Sequence, residues 1–369
     1  MYFARVGKPL TSQEKEIDQL VQPGPSKVYF ETIQEYKIGD FKKVLKWAEY
    51  VMNMYGEDLK FFMEETYLGK DPSFVQTWKY WTERKPIFVN PDFKASELNA
   101  LYSRVKHEIY GGELKFNSYP DENGKTVYTS QNEDIVSHET GHAFLDIIRP
   151  DFYTQQRFQT QAIHESFGDL TCLFYHLSQP EKRLQVLKET GGDLCATSFL
   201  TLIAEPLNKG TKYGELRNLI NDKKMGQTAC EGHDLSNVFS AAIYELLEEL
   251  FNALKIYYSQ YSLAEILDIA QKALRRFFLQ AVIEIPYSNP SFSDIGKHMK
   301  QNVKNWKVLP EIGFAEKIQE IFSKRGIIIE KPHTEDDDIC KINLHQPDLD
   351  QSVRPFCTTF KGGFSYMSN

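Results

Sequence analysis

The chain has 369 residues, of which 41% are hydrophobic and 13% aromatic, a composition that excludes disorder as its main state. Its 43 Lys and Arg against 51 Asp and Glu leave a net charge of −8, the wrong sign for a phosphate-backbone binder, so no nucleic acid is expected as a partner. No apolar run reaches the roughly 18–20 residues of a membrane helix, so no membrane partner is expected either.

Met1 to Leu10 lack the apolar core of a secretory signal, which points to the cytoplasm or to export without a classical signal peptide. Residues 1–39 contain Pro23-Gly24-Pro25 and read as an extended arm with at most one short helix near Ser12 to Leu20. From Asp40, the apolar positions Phe41, Val44, Trp47, Ala48, Val51, Met52 and Tyr55 follow helical spacing and stop at Gly56. A less regular aromatic stretch leads to Pro91. Ser96 then reads as the cap of a second helix, with Leu98, Leu101, Tyr102, Val105 and Ile109 on one stripe and Gly111-Gly112 at its end.

Glu113 to Tyr119 alternates as a strand does, Asp121-Glu-Asn-Gly124 has turn chemistry, and Lys125 to Thr129 returns, so a β-hairpin is expected. Beyond it the signal is helical. Asp134 to Ile148 stops at Pro150, a run opens near Ala162, another covers Leu235 to Phe251, and a Ser262-x-x-Glu265 capping box opens a helix to about Ala281. A last helix ends before Gly326. The tail from Pro332 to Asn369, with its acidic Glu335-Asp-Asp-Asp338 run, reads as a polar strap or mobile end. The five cysteines (Cys172, Cys195, Cys230, Cys340, Cys357) form no CxxC pair and read as free thiols, with one disulfide or a redox role as the alternative.

The chemistry concentrates in Asp134-Ile-Val-Ser-His-Glu-Thr-Gly-His-Ala143. His138 and His142 are one helical turn apart, so both imidazoles leave the same face at a separation one metal ion bridges. Glu139, beside them, is placed to touch a metal-bound water without ligating the metal. Downstream, His164-Glu-Ser-Phe-Gly-Asp169 puts Glu165 and Asp169 one turn apart. Zinc in a hydrolytic site takes three protein ligands and an open fourth position, a count that His138, His142 and Glu165 fill. Asp169 is then the carboxylate that receives the second N–H of a liganding imidazole. His107, His176, His298, His333 and His345 stand outside any ligand spacing and read as structural or solvated.

Over residues 96–327 these motifs, in this order, resemble the thermolysin-like zinc metallopeptidases, within the wider group whose third zinc ligand is a glutamate. Phe116-Asn-Ser-Tyr119 with Val127-Tyr128 is similar to the family's edge strand, which implies that Asn117 and Ser118 bind substrate backbone. The segment around His138 resembles its zinc helix, and His164 to Asp169 its Asn-Glu-Ala-x-x-Asp motif. Gly232-His-Asp-Leu-Ser-Asn-Val-Phe-Ser-Ala-Ala-Ile-Tyr244 looks like the helix start carrying the transition-state histidine, here His233, and Tyr153 resembles the second oxyanion donor.

Three positions depart from that pattern. Thr201 falls where the family carries a cleft arginine, so that contact is expected to be lost. Glu231 is the available substitute for the aspartate that orients the histidine. Downstream of Asp169 the acidic cluster of the family's calcium sites is not recognisable, so calcium is not implied.

The resemblance implies an α+β, two-lobed thermolysin-like fold. In it, residues 1–95 form an N-terminal extension or a diverged part of the first lobe, 96–150 the edge strand and zinc helix, 151–331 a helical C-lobe and 332–369 a polar tail. The expected function is a zinc-dependent endopeptidase acting on a peptide or protein substrate, with Glu139 as general base. The alternatives are a non-proteolytic zinc-stabilised binding module and an aminopeptidase of a related family.

Overall fold

The computed structural model describes residues 38–94, 99–104, 111–120, 124, 126–155, 157–204, 217–306, 309–330 and 332–333. The N-terminal arm, the short helix expected near Ser12 and the acidic run of the tail lie outside these residues.

Helix α1 (Ile38–Glu65) runs straight through Gly56, where the sequence predicts a stop. The apolar stripe continues beyond the glycine at Leu59 and Phe62, both buried, and a Cβ at position 56 would meet Trp81 Cζ2 at 2.8 Å. Gly56 therefore makes room for a neighbouring ring and does not end the helix. That ring belongs to α2 (Pro72–Glu83), which the sequence reading left inside the irregular aromatic stretch. Its start signal is nevertheless explicit, because the Asp71 side chain accepts the Ser73 N–H and Pro72 occupies the first turn.

A four-stranded sheet follows, built from β1 (Ile87–Lys94), β2 (Ala100–Arg104), β3 (Gly112–Pro120) and β4 (Thr126–Tyr128). The hairpin of β3 and β4 forms as expected, with Ser118 opposite Tyr128. The helix expected from Ser96 to Ile109 does not form over its described middle, where 100–104 is strand; Ser96, Leu98, Val105 and Ile109 lie outside the described residues. Ala100 and Tyr102 are both buried, and Tyr102 hydrogen-bonds Asp146 at 2.6 Å. That two-residue period suits the ladder β3 offers, with Ala100 opposite Phe116 and Arg104 opposite Gly112.

Among the described residues the remainder is mainly helical, apart from the two-residue strands β5 (Leu202–Ile203) and β6 (Arg217–Asn218). Its helices are α3 (Glu133–Ile148), α4 (Phe158–Ser178), α5 (Pro180–Thr190), α6 (Gly232–Tyr257), α7 (Leu263–Glu284), α8 (Phe292–Asn302) and α9 (Phe314–Lys324). The Ser262–Glu265 capping box is present, and a second one, Ser291 with Asp294, opens α8, which along with α5 the sequence reading did not single out. One buried apolar cluster extends from Val44 on α1 to Ile329. Within it Tyr55 of α1 stacks on Phe144 of α3 at 4.3 Å, and α4 lies between α3 and α6. The α+β expectation holds in this form: helix-rich, with a small sheet against the zinc-motif helix.

Two further sequence expectations need correction. Asn117 and Ser118 are not on an edge. At those positions β3 pairs with β1 on one side (Phe93 with Asn117, Lys94 with Ser118) and reaches β4 on the other, and both residues are buried. Their main-chain groups serve the sheet: the Asn117 N–H goes to Asn99 O at 2.9 Å, and Asn117 O accepts from Thr129 Oγ1 at 3.1 Å. Hydrophobic alternation identifies a strand but carries no information about which strands flank it. The second correction concerns the thiols: Cys172 and Cys195 are free, whereas Cys230 is disulfide-bonded.

Candidate metal centre

Helix α3 is set by Asn132, whose side chain accepts the N–H groups of Asp134 and Ile135. With Val136, Ala143 and Phe144 buried on its back, the helix turns His138 and His142 toward α4. The two Nε2 atoms lie 2.9 Å apart. Glu165, on the facing turn of α4, brings Oε2 to 3.5 Å from His138 Nε2 and Oε1 to 3.9 Å from His142 Nε2. One ligand atom from each residue falls within 4.8 Å of the others, and all three residues are buried. Among the described residues this is the one group of three His, Cys, Asp or Glu side chains so placed.

The supporting contacts are as specific. Asp169 Oδ1 stands 3.2 Å from His138 Nδ1, and Ser240 on α6 donates to Asp169 Oδ2 at 3.3 Å. A carboxylate on the far nitrogen fixes the tautomer that leaves Nε2 facing the ligand cluster. Glu139 is fully buried, one residue from His138. His233, the second residue of α6, lies with Nε2 3.4 Å from Glu165 Oε2 and Nδ1 2.5 Å from Glu231 Oε1. Glu231 thus touches the His233 ring, and it also caps α6 by accepting the Asp234 N–H.

Tyr153 stands one layer further out. Its ring meets His164 edge-on at 6.0 Å, His164 stacks on His142 at 5.7 Å, and the Tyr153 hydroxyl accepts the Arg104 N–H at 3.4 Å. Asn117 and Ser118 belong to the interior of the sheet, as described above.

The residue that sequence reasoning missed is Arg217. Thr201 does leave its position without a guanidinium; it is buried and hydrogen-bonded to Ser198. A guanidinium nevertheless reaches the two carboxylates from elsewhere in the chain. β6 pairs with β5 so that Arg217 stands opposite Ile203, and its guanidinium reaches both carboxylates, Nη2 at 3.4 Å from Glu165 Oε2 and Nε at 3.4 Å from Asp169 Oδ2. A cation arrives at the site from another strand. No motif or spacing around residue 217 signals it, because only the pairing of two short strands brings it there.

Electrostatics follow from these neighbours. Burial alone would raise the Glu165 carboxyl, but the histidines 233, 138 and 142 outweigh it and hold the group well below the usual carboxylate range. Burial and His138 together push the His142 imidazole well down. His138 is driven the opposite way: burial lowers it, and Asp169, Cys172 and Glu165 more than reverse that. His164 is pushed down to about 4 by burial, so it is a neutral ring at ordinary pH.

The donor set fits zinc. Two imidazole nitrogens and one carboxylate, with ligand atoms within 4.8 Å of one another, are a donor set that zinc accepts. No family model matches the chain, and no curated protein matches it. Among solved structures it is similar to the precursor of protealysin, a metalloproteinase from Serratia proteamaculans, at 13% identity, with 81% of this chain and 86% of that one covered and a TM-score of 0.48.

Proposed function

We propose that the chain is a zinc-dependent endopeptidase. The observation that carries this reading is the convergence of His138, His142 and Glu165, from two facing helices, with a buried Glu139 adjacent and His233 beside the third ligand. A site that merely pins two helices needs neither of the last two residues.

His138, His142 and Glu165 would hold the ion, which when bound supplies a Lewis acid toward a water and a substrate carbonyl. Glu139 takes the proton of the attacking water at its carboxylate and passes it to the leaving amine. His233 donates from Nε2 to the carbonyl oxygen as charge develops there, while Glu231 holds the ring through Nδ1. Asp169 fixes the tautomer of His138. Arg217 balances the two buried carboxylates and presents a planar donor that a peptide carbonyl can use.

The reading is tested by incubating the purified protein with a diverse peptide library, with and without a chelator, and mapping cuts by mass spectrometry. Internal cuts that vanish with the chelator and return with zinc are expected. Terminal trimming alone would make the protein an aminopeptidase, and an absence of cleavage with zinc stably bound would make it a binding module.

A further inference from the structure

One turn before His138, helix α3 carries another buried carboxylate, Asp134. Asp134, in the first turn of α3, lies with Oδ1 2.5 Å from His176 Nε2 on α4, and its Oδ2 accepts the Ala204 N–H at 2.8 Å. His176 is itself buried and sits edge-on to Phe199 at 5.5 Å. Among the described residues Ala204 is the one non-glycine with positive φ, at 61°. An L residue adopts that conformation at a cost, so something outside the residue has to hold it. The Asp134 carboxylate offers such a contact at the Ala204 N–H.

Ala204 directly follows β5, and β5 carries β6: Ile203 pairs with Arg217, and the Leu219 N–H returns to Thr201 O at 2.8 Å. A two-residue ladder is too short to fix its own position. The rung next to Ala204 carries Arg217, which spans Glu165 and Asp169. From these contacts we infer that Asp134 is a positioning residue for Arg217, anchoring the β5–β6 pair to the first turn of α3 through the Ala204 N–H. The helix that supplies two ligands thereby also sets where the guanidinium stands. A purely local role, as a first-turn acid favourable to the helix dipole, would need no bond to Ala204.

The inference rests on the peptidase reading only for its activity measurement. Three variants are compared in the full chain: Asp134→Ala, Arg217→Ala and the double variant. With zinc content unchanged, Asp134→Ala is expected to lower kcat/KM by about tenfold or more, and to add nothing further in the Arg217→Ala background, since the guanidinium it positions is gone. Hydrogen exchange, run without substrate, should speed up at 202–204 and 217–219. Asp134→Asn keeps an acceptor for the Ala204 N–H and should recover most of the rate and the slow exchange. Losses that multiply in the double variant, or exchange unchanged in Asp134→Ala, would overturn the assignment.

Should Asp134→Ala not fold, His176→Ala serves in its place, because it leaves the Ala204 bond intact. Slow exchange retained at 202–204 is then expected, and fast exchange there would show that His176 holds the hairpin instead. A wild-type chain that cuts no peptide would end the peptidase reading while the exchange arm still tests the anchor.

Discussion

Gly168 and the His138 ring are in such close contact that a Cβ at position 168 would meet His138 Cε1 and Nδ1 at 2.7 Å. This approach is what lets Glu165 and Asp169, one turn apart on α4, reach opposite nitrogens of the same imidazole. Glycine is unfavourable in a helix interior by about 1 kcal/mol relative to alanine, so its presence here reflects the space it leaves. Gly168→Ala is therefore expected to weaken zinc binding by roughly 10- to 100-fold, the range for disturbed supporting contacts, although the substitution favours the helix itself. Competition with a chromogenic chelator measures this; affinity within twofold of wild type would show that the ring can yield.

Glu139 and Glu165 are both buried carboxylates in one site, yet they have different expected roles. Glu139→Gln should retain its zinc and lose nearly all turnover, whereas Glu165→Ala should lose its zinc. Elemental analysis alongside peptide cleavage separates the two, and metal loss in Glu139→Gln would move that residue into the coordination shell.

The His233 imidazole is subject to burial, which lowers its pKa, and to Glu165 and Glu231, which outweigh burial and hold it above the ordinary histidine value. A raised pKa keeps the protonated donor to higher pH, so kcat should decline on the alkaline side as pH rises through that value. Bound zinc would engage the Glu165 charge, leaving Glu231 as the support for the ring. Glu231→Gln should thus move the alkaline limb to lower pH, and His233→Ala should lower kcat by about 10²-fold with zinc retained. A pH–rate profile in which Glu231→Gln leaves that limb in place would remove Glu231 from this role.

Arg217 changes the expected specificity. Without a guanidinium in place of Thr201, cleavage of short peptides would be poor and binding would fall to contacts along Asn117-Ser118. Those two residues are inside the sheet, and a guanidinium is present. Short peptides should therefore be cleaved nearly as well as longer versions of the same sequence, and Arg217→Lys should lower kcat/KM on both, because a point-charge ammonium cannot bridge Glu165 and Asp169 in a planar fork. Much better cleavage of the longer peptide by the wild type would restore the dependence on distant contacts.

Much of the centre was legible in the sequence because it is local. His138, Glu139 and His142 share one turn, Glu165 and Asp169 share another, and the helical period alone places each set on one face. The same holds for the β3–β4 hairpin and the capped start of α7, where the signal is a turn or a cap within a few residues. Gly56 and the stretch 100–104 were misread for the complementary reason. A glycine reads as a helix end unless the Trp81 ring that requires it is known, and Tyr102 fits a helical stripe until β3 offers it a ladder.

By itself, then, the sequence determined the helix-rich α+β character and the candidate ligand residues His138, His142 and Glu165, with Glu139 and Asp169 beside them, each read from the spacing within one of two short motifs. Tertiary structure alone decided the rest: that β3 is interior, that Arg217 reaches Glu165 and Asp169, and that Asp134 reaches from α3 to Ala204. Each of these depends on which segments pack side by side across tens of residues, a property of the whole chain's burial and pairing that no local period encodes.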